Sequence, residues 1–137
     1  MVNTASVSGL IAAPGVPAPY NASKYAVVAI SETIRLELAH TNLGVSVLCP
    51  GVVDTNIFQS QRNRPAELRN TQRKKQPVPA PKDSLPPRIL QPSDVAAQVV
   101  DAMLADRFWV ITHPEFLEAI EAKHADLLTQ VRQAHGL

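Results

Sequence analysis

Two short apolar runs bracket one helix-length segment, and that arrangement restricts the chain to a parallel sheet. Val2-Asn3-Thr4-Ala5-Ser6-Val7-Ser8-Gly9 begins apolar and ends in small hydroxyl residues and glycine, the pattern of a strand running into a turn. Val45-Ser46-Val47-Leu48-Cys49 reads as a second strand and runs into Pro50-Gly51. Between them, from Pro19 to His40, Tyr20, Val27, Val28, Ile30, Ile34 and Leu38 recur at helical spacing, flanked by Glu32, Arg35 and Glu37. Asn42-Leu43-Gly44 is expected to stop this helix in a left-handed turn. A strand, a crossover helix and a second strand make a βαβ unit, whose strands pair in parallel.

The pattern fails from Asn56 to Leu90. Seven prolines between Pro65 and Pro92, together with Arg73-Lys74-Lys75, argue against a packed element, so this span is expected to be a mobile lid or linker. Periodicity resumes at Gln91-Pro92-Ser93, with Ser93 as the expected N-cap of a helix burying Val95, Val99, Val100, Met103 and Leu104. Asp106-Arg107 closes it, and Phe108-Trp109-Val110-Ile111 reads as a short buried strand. Thr112-His113-Pro114-Glu115 has capping-box spacing, and the last helix carries Phe116, Leu117, Ile120, Leu127, Leu128 and Val131 on one stripe. That helix is expected to fray near Gly136. The domain reading is one unit over 1–137, divided into 1–55, 56–90 and 91–137.

With 137 residues the chain can bury a real core, though with a small margin. Its net charge of +1 hides a local excess: eight basic residues face only Glu67 and Asp83 between Arg62 and Arg88. Such a basic stretch could attract nucleic acid, but it has no interleaved aromatics, so nucleic acid is not the expected partner. One cysteine, Cys49, excludes a disulfide framework and reads as a buried apolar residue. His40, His113, His124 and His135 lack metal-ligand spacing and read as surface or capping residues, so no metal is expected. No apolar run approaches the roughly 20 residues of a membrane span, and the expected location is cytoplasmic.

Chemistry concentrates at Tyr20-Asn21-Ala22-Ser23-Lys24. Residues four apart share a helix face. A phenol ordinarily titrates near about 10, so it needs a neighbouring cation before it can exchange protons at neutral pH. Lys24 is placed to be that cation. A strand-end Ser6, then this Tyr-x-x-x-Lys helix, then a strand ending in Pro50-Gly51 with Thr55 beyond, resembles the catalytic half of the short-chain dehydrogenase/reductase family. The likeness is close from Met1 to about Thr55 and looser after Leu90.

The resemblance implies an α/β fold of Rossmann type, three layers around a parallel sheet, and hydride transfer between NAD or NADP and a small carbonyl or alcohol substrate. It implies Tyr20 as proton donor and acceptor, and Lys24 as the residue that lowers the Tyr20 pKa and binds the cofactor ribose. Ser6 would hydrogen-bond the substrate oxygen, with Ser8 the alternative; Ser6 lies fourteen before Tyr20 where the family usually has thirteen, the extra residue falling in the Pro14 to Pro19 loop. Pro50, Gly51, Val53 and Thr55 would approach the nicotinamide, and Ile57 and Phe58 match the position of a substrate lid. A homo-oligomer formed through helix 19–40 is also expected. The family's glycine-rich phosphate-binding turn has no counterpart, because the five glycines are scattered and no G-x-G-x-x-G occurs. The chain is therefore expected to be truncated, its N-terminal dinucleotide-binding half absent and its activity alone doubtful. A non-catalytic remnant that pairs with another dehydrogenase subunit is the alternative.

Overall fold

The structure, a computed structural model, describes residues 1–69 and 88–137. Three strands form a parallel sheet in the order β1 (Val2–Thr4), β2 (Ser46–Leu48) and β5 (Trp109–Val110). The helix α1 (Ala18–Glu37) crosses from β1 to β2, and α2 (Pro92–Leu104) precedes β5. Two further short strands, β3 (Val52–Val53) and β4 (Ile89–Leu90), pair in parallel beside the sheet. The chain closes with α3 (Leu117–His135). This is the expected α/β arrangement, a partial Rossmann-type fold.

Successive side chains of a strand point to opposite faces, and the core divides accordingly. Val45, Val47, Cys49 and Phe108 face α1 and pack with Ala5 and Val28. Leu48 and Val110 face the other way, toward Val95 and Ala102 of α2 and Leu90 of β4. The sheet is thus covered by a helix on each side, as a parallel sheet requires. A polar tie crosses the first layer: Asn3 Nδ2 donates to Ser31 Oγ at 3.0 Å, and Ser31, fully buried, donates to Val27 O at 2.7 Å.

Several local expectations are corrected. Gly44 has no left-handed conformation; α1 ends when Leu38 N–H bonds Ile34 O, and Thr41 Oγ1 donates to Leu38 O at 2.8 Å. Ser93 is not the cap of α2, because Pro92 already occupies the first turn and Gln91 stands at the N-cap. On that helix Val95 and Ala102 are buried, whereas Val100, Met103 and Leu104 are exposed. Its C-terminus is a Schellman turn: Asp106 takes φ 48°, Asp106 N–H bonds Met103 O at 3.2 Å and Arg107 N–H bonds Ala102 O at 2.8 Å. Thr112 to Glu115 form no capping box; His113 makes no capping bond, and a 3-10 turn at Pro114–Phe116 comes before α3.

The apolar stripe of α3 faces outward, with Leu117, Leu127, Leu128 and Val131 exposed. The helix runs to His135 and ends at Gly136 in a left-handed cap with φ 66°. The span 56–90 holds 3-10 turns at Asn56–Asn63 and Ala66–Leu68, and β4 packs Leu90 into the core. The rest of that span, 70–87, and with it most of the basic segment, lies outside the described residues.

Val47 has 0% exposure, so Val47→Ala should lower unfolding stability by about 2 kcal/mol in urea titrations. Leu104→Ala, at a position 83% exposed, should change it by less than about 0.5 kcal/mol. Burial pushes the Cys49 thiol from 9.0 up to about 11, against the opposing pull of the Ser6 backbone hydrogen bond and the Lys24 charge. Below the ordinary value both folded and unfolded chains keep the proton, and the stabilising difference is constant. As pH rises from 9.0 toward about 11 the unfolded thiol ionises first, so stability falls. The urea midpoint of the wild type should therefore drop more steeply across this interval than that of Cys49→Ala.

Candidate active site

Parallel pairing sets the C-terminal ends of β1 and β2 side by side, and the turns that follow them are joined by hydrogen bonds. Ala5 N–H donates to Leu48 O at 2.8 Å and Val7 N–H to Pro50 O at 2.9 Å. Ser6, nearly buried at 8% exposure, caps the 3-10 turn Val7–Gly9. Its Oγ accepts Ser8 N–H at 3.1 Å and donates to Pro50 O at 3.4 Å. Ser8, the alternative hydroxyl, thus serves Ser6 through its backbone.

Opening after Pro17, with Pro19 in its first turn, α1 carries Tyr20 at its N-terminal end and Lys24 one turn further on. It lies directly on the turn after β1. A Cβ at Gly9 would sit 2.6 Å from Lys24 O, a separation no side chain permits, so glycine here is what lets helix and turn touch. Lys24 Nζ donates to Thr4 O at 3.3 Å and lies 5.7 Å from the centre of the Tyr20 ring. The loop before α1 turns at Gly15, which has φ 84°.

Ser6, Lys24 and Pro50 are therefore gathered at the C-terminal edge of β1 and β2, the position where open α/β sheets bind ligands. Tyr20 is half-buried one turn before Lys24. Gly51 follows Pro50 and donates its N–H to His113 Nδ1 at 3.0 Å. Val53 is turned away from this edge, toward the core beside α2. Thr55 is exposed, and its Oγ1 accepts Ile57 N–H at 3.4 Å. The side chain of Phe58 lies outside the described residues.

His113 corrects the sequence reading in part: it stands at the N-cap of the turn Pro114–Phe116, but its side chain makes no capping bond and is buried at 0% exposure beside Gly51. Spacing gave no signal for it. The available clue was topological: β5 pairs in parallel with β2, so the residues just past β5 must abut those just past β2. His40, His124 and His135 are exposed as expected. Among the described residues no group of three metal-ligating side chains forms, and no helix is long and apolar enough to cross a membrane.

Known proteins resemble this chain in sequence and in fold. The family model described as short chain dehydrogenase matches residues 1–66. The CLA biosynthesis dehydrogenase/reductase of Lactiplantibacillus plantarum is 32% identical over 146 residues, covering 94% of this chain and 48% of that protein. The uncharacterized oxidoreductase YbbO of Escherichia coli strain K12 is 45% identical over 71 residues, 49% of this chain and 26% of that protein. Among solved structures, a short chain dehydrogenase/reductase from Burkholderia phymatum in complex with NAD superposes with a TM-score of 0.77 at 35% identity, covering 94% of this chain and 48% of that one. The chain thus spans about half the length, or less, of the relatives it matches. With the Ser6, Tyr20 and Lys24 pattern on a partial Rossmann-type fold and these likenesses together, the chain belongs to the short-chain dehydrogenase/reductase family.

Proposed function

We propose that the chain supplies the acid/base part of a nicotinamide-dependent oxidoreductase acting on a small carbonyl or alcohol. The observation that carries this reading is the meeting of Ser6, Lys24 and Pro50 at one sheet edge, with Tyr20 a turn away on the same helix. In the reductive direction Tyr20 gives its hydroxyl proton to the substrate oxygen. Ser6 Oγ, its one proton turned from Pro50 O to that same oxygen, hydrogen-bonds it and stabilises the charge that develops there. The Lys24 ammonium stabilises the negative charge left on Tyr20 and donates to sugar hydroxyls beside it. NAD or NADP, when bound, supplies or accepts the hydride. In the oxidative direction the proton returns to Tyr20.

The residues present fit the nicotinamide end of such a cofactor. An ammonium and a phenol beside the Pro50–Gly51 turn suit a ribose, whereas no glycine-rich turn in the 137 residues suits a pyrophosphate. The phosphates then need a glycine-rich portion from outside these residues. Exposed Ile30 and Leu36 support self-association through α1.

The polypeptide of 137 residues should accordingly show no saturable NADH or NADPH binding at sub-millimolar concentration, and light scattering should find it oligomeric. Micromolar binding by a monomer would contradict this account. Grafted in place of the matching part of the Burkholderia phymatum enzyme, the chain should support carbonyl reduction, and Tyr20→Phe should then lower turnover by about 100-fold or more with cofactor binding kept. Unchanged turnover in a folded, cofactor-binding Tyr20→Phe graft would refute the assignment.

A further inference from the structure

Among the described residues His113 is the largest fully buried side chain, and the acid/base chemistry described above makes no use of it. Its ring meets four polar neighbours. The Gly51 amide can only donate, so Nδ1 accepts at 3.0 Å, and the Thr112 hydroxyl donates to the same nitrogen at 2.7 Å. Nε2 faces two carbonyl oxygens, Val52 O at 3.0 Å and Arg88 O at 3.1 Å. Two acceptors require a proton between them. The bonding therefore assigns a neutral imidazole with its proton on Nε2.

This ring is tied to Ser6 through a single peptide group. The Pro50 carbonyl accepts from Ser6 Oγ at 3.4 Å and from Val7 N–H at 2.9 Å, while the N–H of that same planar unit, at Gly51, enters His113 Nδ1. Contact is close enough to demand glycine: a Cβ at Gly51 would lie 2.8 Å from His113 Cγ and Cδ2 and 2.8 Å from Phe116 Cε2. An apolar ring of equal size would fill the space but leave the Gly51 N–H and the Val52 and Arg88 carbonyls without this partner. Buried polar groups left unpaired are costly, so the loop rather than the core would rearrange.

The geometry points to His113 as a positioning residue that fixes the Pro50–Thr55 loop and, through the Pro50–Gly51 peptide, the acceptor of the Ser6 hydroxyl. Its value to a reaction rests on the proposed function, in which that loop faces the nicotinamide and Ser6 faces the substrate oxygen. His113 itself touches neither.

The test is amide hydrogen exchange followed by NMR on the full 137-residue chain, with imidazole nitrogen shifts recorded for the wild type. His113→Asn keeps an acceptor for Gly51, His113→Gln keeps a donor for Val52 and Arg88, and His113→Leu keeps neither. In His113→Leu, exchange at Gly51 and Val7 should rise about tenfold relative to Val28 in α1. His113→Asn should restore protection at Gly51, and the wild-type ring should show Nδ1 unprotonated and Nε2 protonated. An equal rise at Gly51, Val7 and Val28 would mean that the residue serves only global stability and would overturn the proposal, as would a proton on Nδ1. If His113→Leu does not fold, the other two decide: protection kept in His113→Asn and lost in His113→Gln supports the role, and identical behaviour overturns it. Failure of the nicotinamide reading would leave these exchange rates as expected, so the two ideas fail separately.

Discussion

Parallel pairing of β1, β2 and β5 is the constraint on which everything else in this molecule depends. Strands that run the same way deliver their following turns to the same edge. Ser6 after β1, Pro50 and Gly51 after β2, and His113 after β5 are far apart in sequence and adjacent in space for this one reason. The backbone hydrogen bonds continue past the strands, through Ala5 to Leu48, Val7 to Pro50 and Cys49 to Val110, so the turns inherit the register of the sheet. The pairing is held in turn by the two apolar layers, with Val47 and Cys49 on one side and Leu48 and Val110 on the other.

Most of this was legible in the residues. Alternating apolar runs ending in Ser or Pro-Gly, with a 3.6-residue period between them, specify a βαβ unit almost without alternatives, and the four-residue interval of Tyr20 and Lys24 is a local geometric fact. What the pattern left hidden has physical causes. Helix boundaries moved because a proline at the first turn of α2 displaced the expected serine cap, and because α1 could end on ordinary backbone and Thr41 bonds without a left-handed glycine. At Gly44 a Cβ would meet only the Asp106 carboxylate, 2.8 Å from its Oδ1, and that side chain can swing aside. The outward stripe of α3 shows the limit of periodicity as evidence, since an apolar face says that burial is favourable and not which surface provides it.

His113 was the residue furthest from sequence reasoning. Histidines seldom lie fully buried, and single-residue propensity favours the surface. The ring is acceptable in the interior because both nitrogens find partners, and apart from the Thr112 hydroxyl those partners are backbone atoms from two other segments. No pattern local to Thr112-His113-Pro114 could announce them. By contrast Gly51, expected in a loop approaching the nicotinamide, is fixed by the ring it lies against.

The polar tie between Asn3 and Ser31 has a bearing on Tyr20 that its distance conceals. A helix lying on a sheet by apolar contacts alone can roll about its axis at small cost, and one residue of rotation is about 100°. The Asn3 bond to the fully buried Ser31 hydroxyl, shorter and stiffer than the reach of the long Lys24 side chain to Thr4 O, indexes that rotation. Ser31 lies about three turns beyond Tyr20, roughly 16 Å along α1. The aim of the phenol is thereby set from the opposite half of the helix, like the hand of a clock fixed by a key in its shaft.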